Sequence, residues 1–282
     1  MQELTGRVAV VTGAASGIGF ALASAFAAEG MQVVLADVEA PALDDAVAKL
    51  AAGGADVLGV RTDVSDGAQM QALADAAVDR YGAVHVLCNN AGVGGGGLSW
   101  EAPLATWEWV LGVNLWGVIH GVRAFVPILM RQPEAHVVNT ASVAGLVAGP
   151  FMGPYNASKH AVVALSETLH HEMGIMAPQV KVSVLCPGWV RTRIADSARN
   201  RPGGPAEDPV AAAGFAQALQ ALIDRGLAPE VVAEKVIAAI RAEQFWILPH
   251  DGVEEFWAEF VNARARSLID RTNPAIRTPP AQ

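Results

Sequence analysis

The chain has 282 residues, 52% hydrophobic and 17% charged, a balance that excludes disorder for most of its length. With 28 acidic against 19 basic residues its net charge is -9, which argues against nucleic acid or an anionic membrane as the main partner. No apolar run is expected to reach the roughly 18–20 residues of a membrane helix, and the first residues carry no signal-peptide pattern. Cys88 and Cys186 lie inside strand-like runs and suit reduced, buried thiols, so a cytoplasmic location is expected.

Apolar runs of strand length alternate with stretches of helical period. Residues 7–13 predict a buried strand and 16–30 a helix closed by a glycine. A strand (31–38), a helix (40–54), a strand (55–64), a helix (66–82) and a strand (83–92) follow. One long helix is expected over 103–131, interrupted or bent near Pro127, and then a strand over 135–142. A helix runs from about Tyr155 to about Met173, before a strand at 179–188. Segment 189–227, rich in Pro, Gly and Ala, reads as an inserted substrate lid holding a short helix. A helix (229–243), a short strand (245–250), a final helix (about 252–268) and an irregular tail (269–282) complete the chain. Seven strands separated by helices imply a single α/β domain over 1–282, with a parallel sheet and right-handed crossovers.

The turn between the first strand and first helix reads TGAASGIG, with Gly13, Gly17 and Gly19. Glycines there let a backbone approach a pyrophosphate at the helix N-terminus. The spacing is G-x-x-x-G-x-G, not the G-x-G-x-x-G of the standard dinucleotide fingerprint, and a tight packing turn would use glycines too. Asp37 closes the second strand, 20 residues after Gly17, where a ribose-binding acid is expected. A carboxylate there accepts from ribose hydroxyls and repels the extra phosphate of NADP. No basic residue follows directly, since Val38 and Glu39 come next, and Ser16 in the loop is uncharged. NAD(H) is therefore expected over NADP(H).

In the segment YNASKH (155–160), Tyr155 and Lys159 stand at i and i+4, on one helix face. A nearby ammonium lowers the pKa of a phenol, normally about 10, and a phenol so tuned can exchange a proton with an alcohol or carbonyl oxygen. Such pairs are also common on ordinary helices.

With TGAASGIG (12–19), NNAG (89–92), Asn114 in GVNLWG, Ser142 in NTASVAG, YNASK (155–159) and PGWVRT (187–192), the chain resembles the short-chain dehydrogenase/reductase family. The resemblance is strong over about 5–195. It implies a Rossmann-type doubly wound domain with a seven-stranded parallel sheet in the order 3-2-1-4-5-6-7 and a nicotinamide cofactor. It implies Tyr155 as general acid/base, with Lys159 holding the nicotinamide ribose and depressing the tyrosine pKa. Ser142 would bond the substrate oxygen, and Asn114 would hold a water that relays protons from Lys159. Ile18 belongs to the glycine loop, and Asp63 and Val64, ending the third strand, would contact adenine. Asn90, Ala91 and Gly92 would flank the adenosine ribose, and Pro187, Gly188, Val190 and Thr192 the nicotinamide.

Val93, Leu146, Phe151, Met152, Trp189 and Ile194 are candidates for a mostly apolar substrate pocket, although several would serve equally as core or oligomer contacts. Such a lining favours a hydrophobic, aryl or cyclic secondary alcohol or ketone. No H-x-x-x-H occurs and the histidines do not cluster, so no metal is expected. The family further implies a homo-oligomer, a tetramer before a dimer. Two other functions stay open: a catalytically silent NAD(H)-binding sensor or scaffold, and an S-adenosylmethionine methyltransferase, which would not explain the Ser/Tyr/Lys set.

Overall fold

A computed structural model describes residues 1–204, 217, 219–250 and 254–274 of the chain. Its strands are β1 (Val8–Thr12), β2 (Gln32–Asp37), β3 (Val57–Arg61), β4 (Val86–Asn89), β5 (Ala135–Thr140), β6 (Val180–Leu185) and β7 (Trp246–Ile247). They form one sheet in the order β3-β2-β1-β4-β5-β6-β7, and every neighbouring pair is parallel. Both faces of the central strands are covered: all of β1 and β5 is buried, including the polar His136, Asn139 and Thr140 of β5.

The helices are α1 (Gly17–Ala28), α2 (Ala40–Ala52), α3 (Gly67–Tyr81), α4 (Leu104–Leu111), α5 (Gly117–Leu129), α6 (Gly153–Met176), α7 (Pro229–Ala242) and α8 (Glu254–Ile269). On one face, Leu22 and Phe26 of α1 and Val236 and Ile240 of α7 pack on Ala9, Val11, Val33 and Leu35. On the other, Leu73 of α3, Phe125 of α5 and Leu169 of α6 pack on Val10, Val34, Leu87 and Val182. Helix ends follow local chemistry. Asp66 caps α3 by accepting from the N–H groups of Ala68 and Gln69, and Gly82 ends it in the left-handed conformation.

β1 pairs with β2 on one side and β4 on the other. The loops leaving β1 and β4 therefore diverge, and the crevice beyond their carboxyl ends is where such sheets bind ligands.

Several boundaries differ from expectation. The long helix is broken not at Pro127, which lies within α5, but at a π-helical turn, Gly112–Trp116, centred on Asn114. Pro127 is tolerated near the end of α5. The turn of helix at Asn114 is widened where its side chain reaches inward to the loop after β4. The whole stretch Leu104–Leu129 is long and apolar enough to cross a membrane by length and composition, contrary to expectation. It buries Asn114, Val118, Gly121, Phe125 and Leu129 and packs on α3, α6, β4 and β5. β3 stops at Arg61, so Asp63 and Val64 lie in the following turn and do not end the strand. β7 contracts to two residues, and α6 runs on to Met176.

Segment 189–227 leaves and returns at one place: Val190 bridges Leu227 in parallel, and Arg191 N–H donates to the Leu227 carbonyl at 2.9 Å. Within it, Ile194–Asn200 forms a 3-10 helix. Residues 205–216 and 218, and positions 275–282 of the expected tail, lie outside the described residues.

Candidate active site

The glycine turn after β1 takes its shape from positions only glycine fits. Gly13 (φ 64°) and Gly17 (φ 53°) are left-handed. A Cβ on Gly19 would lie 2.0 Å from the Gly13 carbonyl oxygen, so the turn closes on itself. Thr12 and Asn90 fasten it to the loop after β4. The Thr12 hydroxyl accepts from the N–H groups of Asn90 (2.9 Å) and Ala91 (3.1 Å), and the Asn90 amide donates to the Thr12 carbonyl at 3.0 Å. Ser16 precedes α1 in an extended conformation without a side-chain cap, so the first-turn N–H groups at Gly17 and Ile18 face the crevice mouth beside Thr192. Helix N-termini of this kind attract phosphate.

At the end of β2, Asp37 accepts from Ala15 N–H at 3.0 Å through one oxygen and from Glu39 N–H at 3.0 Å through the other. A carboxylate has about four acceptor sites, so about two remain for a ribose diol. The residues present thus fit a dinucleotide: a glycine cradle, a helix N-terminus and a half-committed acid. No basic residue follows Asp37 in sequence, but two lie near it in three dimensions. Arg61 lies opposite Asp37 across the β2–β3 ladder and donates to the Val38 carbonyl, and Arg199 reaches Glu39 from the 3-10 helix. Asp63 accepts from the N–H and hydroxyl of Ser65, and Val64 is buried against Gly117.

Ser142, Tyr155 and Lys159 converge at the carboxyl ends of β5 and β6. Gly145 permits this. A Cβ there would lie 2.5 Å from the Lys159 carbonyl oxygen, so only glycine lets the turn after β5 settle on α6. The Ser142 hydroxyl accepts from Ala144 N–H at 3.1 Å, donates to the Pro187 carbonyl at 3.3 Å and is hydrogen-bonded to Tyr155. Lys159 is 2% exposed; it donates to the Thr140 carbonyl at 2.9 Å and lies 5.7 Å from the centre of the Tyr155 ring.

Burial decides the acidities. It lowers the Lys159 ammonium to about 8, and it raises the Tyr155 phenol above its ordinary value, against which the Ser142 hydrogen bond pulls down. The expectation that Lys159 depresses the phenol is therefore not met by the protein's own groups. The downward pull comes from Ser142.

Asn114, fully buried in the π turn, has its side chain committed. Its oxygen accepts from Val93 N–H at 2.8 Å, and its amide donates to the Val93 carbonyl at 3.0 Å and the Ser158 hydroxyl at 3.2 Å. The side chain thereby fixes the loop that begins at Val93. Gly94 N–H donates in turn to the Ser197 hydroxyl at 2.8 Å, joining that loop to the 3-10 helix.

Pro187, Gly188, Trp189 and Val190 follow β6. Gly188 N–H donates to His250 at 2.8 Å, and the Trp189 carbonyl accepts from Leu227 N–H at 3.0 Å. Leu146 is half-buried and its carbonyl accepts from Arg264 of α8 at 2.7 Å. Phe151 is exposed, with a left-handed φ of 63° unusual for an aromatic residue, and its carbonyl accepts from Gly97 N–H at 2.8 Å. Met152 bridges Gly97, and the Ile194 carbonyl lies over Gly94. The six apolar candidates thus come from three separate segments, at Val93, Leu146–Met152 and Trp189–Ile194. Thr12, Ser158, Ser197 and His250 escaped the sequence reading, as did the pairing of Arg199 with Glu39 and the close approach at Gly145. Only Gly145, adjoining the serine turn, carried a local signal.

Residues 7–203 match the short chain dehydrogenase family, and the chain belongs to that family of oxidoreductases. Over 194 residues, 68% of this chain and 71% of the relative, it is 47% identical to the 1-deoxy-11-beta-hydroxypentalenate dehydrogenase of Streptomyces avermitilis. It is 31% identical over 257 residues, 89% of this chain and 90% of the relative, to the CLA biosynthesis dehydrogenase/reductase of Lactiplantibacillus plantarum. Among solved structures, a short chain dehydrogenase/reductase of Burkholderia phymatum in complex with NAD superposes with a TM-score of 0.94. It shares 48% identity, over 99% of this chain and 100% of that one.

Proposed function

We propose that the protein is an NAD(H)-dependent oxidoreductase that interconverts a secondary alcohol and a ketone, with a hydrophobic aryl or cyclic substrate. The observation that carries this is the buried cluster of Ser142, Tyr155 and Lys159 at the carboxyl ends of β5 and β6, on the same edge of the sheet as a glycine cradle that fits a dinucleotide. The relatives that act on a hydroxylated pentalenate or bind NAD support the same reading.

When bound, the nicotinamide supplies or accepts the hydride. Gly13, Ser16, Gly17, Ile18 and Gly19 would hold the pyrophosphate, and Asp37 and Val38 the adenosine ribose. Asp63, Val64, Asn90, Ala91 and Gly92 would enclose the adenine end, while Pro187, Gly188, Val190, Thr192 and Lys159 would hold the nicotinamide end. Tyr155 moves the proton at the substrate oxygen. Ser142, already bonded to Tyr155, donates to that oxygen and steadies its developing charge. Lys159 is near its titration point at neutral to mildly alkaline pH, which suits a proton carrier behind the tyrosine. The described start of the expected lid, residues 189–204, would border the substrate.

Incubation with NAD and a panel of aryl and cyclic secondary alcohols should generate NADH absorbance. Tyr155→Phe should bind NADH normally and lose turnover by at least about 100-fold. Full activity in that variant would defeat the mechanism, and tight NADH binding without turnover of any alcohol or ketone would favour a silent sensor. A cytoplasmic homo-oligomer, tetramer before dimer, completes the proposal, with light scattering as its check.

A further inference from the structure

Glu39 stands two residues after Asp37, and its N–H is held by the Asp37 carboxylate. Its own carboxylate is gripped from the other side of the crevice. Arg199 of the 3-10 helix donates from Nη2 at 2.6 Å and from Nε at 3.1 Å, and the Asn200 amide donates at 2.9 Å. Both partners of the ion pair are about three-quarters buried, with side-chain exposures of 23% for Arg199 and 25% for Glu39. The arginine holds the carboxyl below its usual pKa, so the pair stays charged through neutral pH.

The two edges of the Arg199 guanidinium have different tasks. Nη1 donates to the carbonyls of Asp196 (2.8 Å) and Arg193 (3.3 Å) within its own 3-10 helix. The Nε–Nη2 edge, the one that suits a carboxylate or phosphate in bidentate fashion, is spent on Glu39. Removal of the Glu39 carboxylate would leave Nη1 tethered and that fork open toward the turn carrying Asp37. A dinucleotide with a 2′-phosphate places its extra charge at this end of the crevice.

We infer that Glu39 is a second selectivity residue for the dinucleotide, acting with Asp37 by occupying the arginine fork that a 2′-phosphate would otherwise claim. The inference rests on the dinucleotide reading above. It differs from direct repulsion by Asp37, because the discriminating cation is present in the wild-type chain and is masked.

The test is equilibrium binding of NADH and NADPH to the purified protein, read by fluorescence titration, with thermal melting to confirm folding. Glu39→Ala should lower the ratio of the NADPH to the NADH dissociation constant by about tenfold, the order of one charge-assisted hydrogen bond. Glu39→Ala with Arg199→Ala should return the ratio to the wild-type value. Glu39→Ala with Arg61→Ala should keep the gain, since Glu39 engages Arg199 and not Arg61, whose Nε is directed at the Val38 carbonyl. A ratio within twofold of wild type in Glu39→Ala would overturn the inference, as would a gain that survives loss of Arg199. If the wild-type chain bound neither dinucleotide, both the inference and the reading beneath it would fall.

Discussion

Gly145 offers a sharp test of how the turn after β5 is placed. An added Cβ would sit 2.5 Å from the Lys159 carbonyl oxygen and 2.9 Å from Val163 Cγ2, on a helix that cannot retreat because Val162 and Ser158 are fully buried behind it. The turn must move instead, by about the ångström needed to restore contact distance. Overpacking of this kind costs about 1–3 kcal/mol, and Tm falls by about 2–4 °C per kcal/mol in a domain this large. Ser142 lies three residues away and would move with the turn, and a 1 Å misplacement of a positioned group can cost about 100-fold in rate. Gly149, in the same turn region, is the control, since a Cβ there meets nothing within 4 Å. Melting curves and kcat on the best alcohol should show Gly145→Ala impaired in both and Gly149→Ala near wild type. Equal behaviour of the two variants would refute the close-approach argument.

Two pH effects follow from buried groups. Lys159 has a folded pKa of about 8 against an ordinary value of 10.5, so the unfolded chain binds more protons between these limits. The stability of wild type relative to Lys159→Met should therefore rise with pH across that window, by at most about 1.4 kcal/mol per unit; a flat difference in urea unfolding would contradict it. His136 is fully buried on β5, its Nε2 2.7 Å from the Ser183 hydroxyl, and burial lowers it to about 3. Stability should fall as pH drops from about 6.5 toward 3. His136→Gln should weaken that acid dependence whatever its cost at neutral pH, and an unchanged acid limb would show that other groups govern it.

The strands and the pairing of Tyr155 with Lys159 were legible in the sequence for a physical reason, whereas the sheet order and the place of Ser142 came from the resemblance to the family. Continuous apolar runs mark strands covered on both faces, and the i, i+4 spacing of Tyr155 and Lys159 puts both on one face of α6. Arg199 and Glu39 were not legible. They are 160 positions apart, and their meeting depends on where the 3-10 helix folds back, which no local pattern encodes. The break at Asn114 was misplaced for a related reason. Proline is a visible helix breaker, whereas a π turn drawn by an asparagine amide reaching Val93 is a tertiary effect. The acidity of Tyr155 likewise depends on burial, which the residue pair alone does not disclose.

The bridge between Val190 and Leu227 has an evolutionary side. A loop pinned at its base is closed once, and each doubling of its length afterwards costs only about 0.6 kcal/mol. Residues 191–226 can therefore lengthen, shorten or exchange composition with little debt to the sheet. Ser197, Arg199 and Asn200 are among the residues held back, because they are moored to Gly94 and Glu39, outside the loop. Divergence among close relatives should thus concentrate in the remainder of the loop, while Ser142, Tyr155 and Lys159 stay fixed by the sheet and α6.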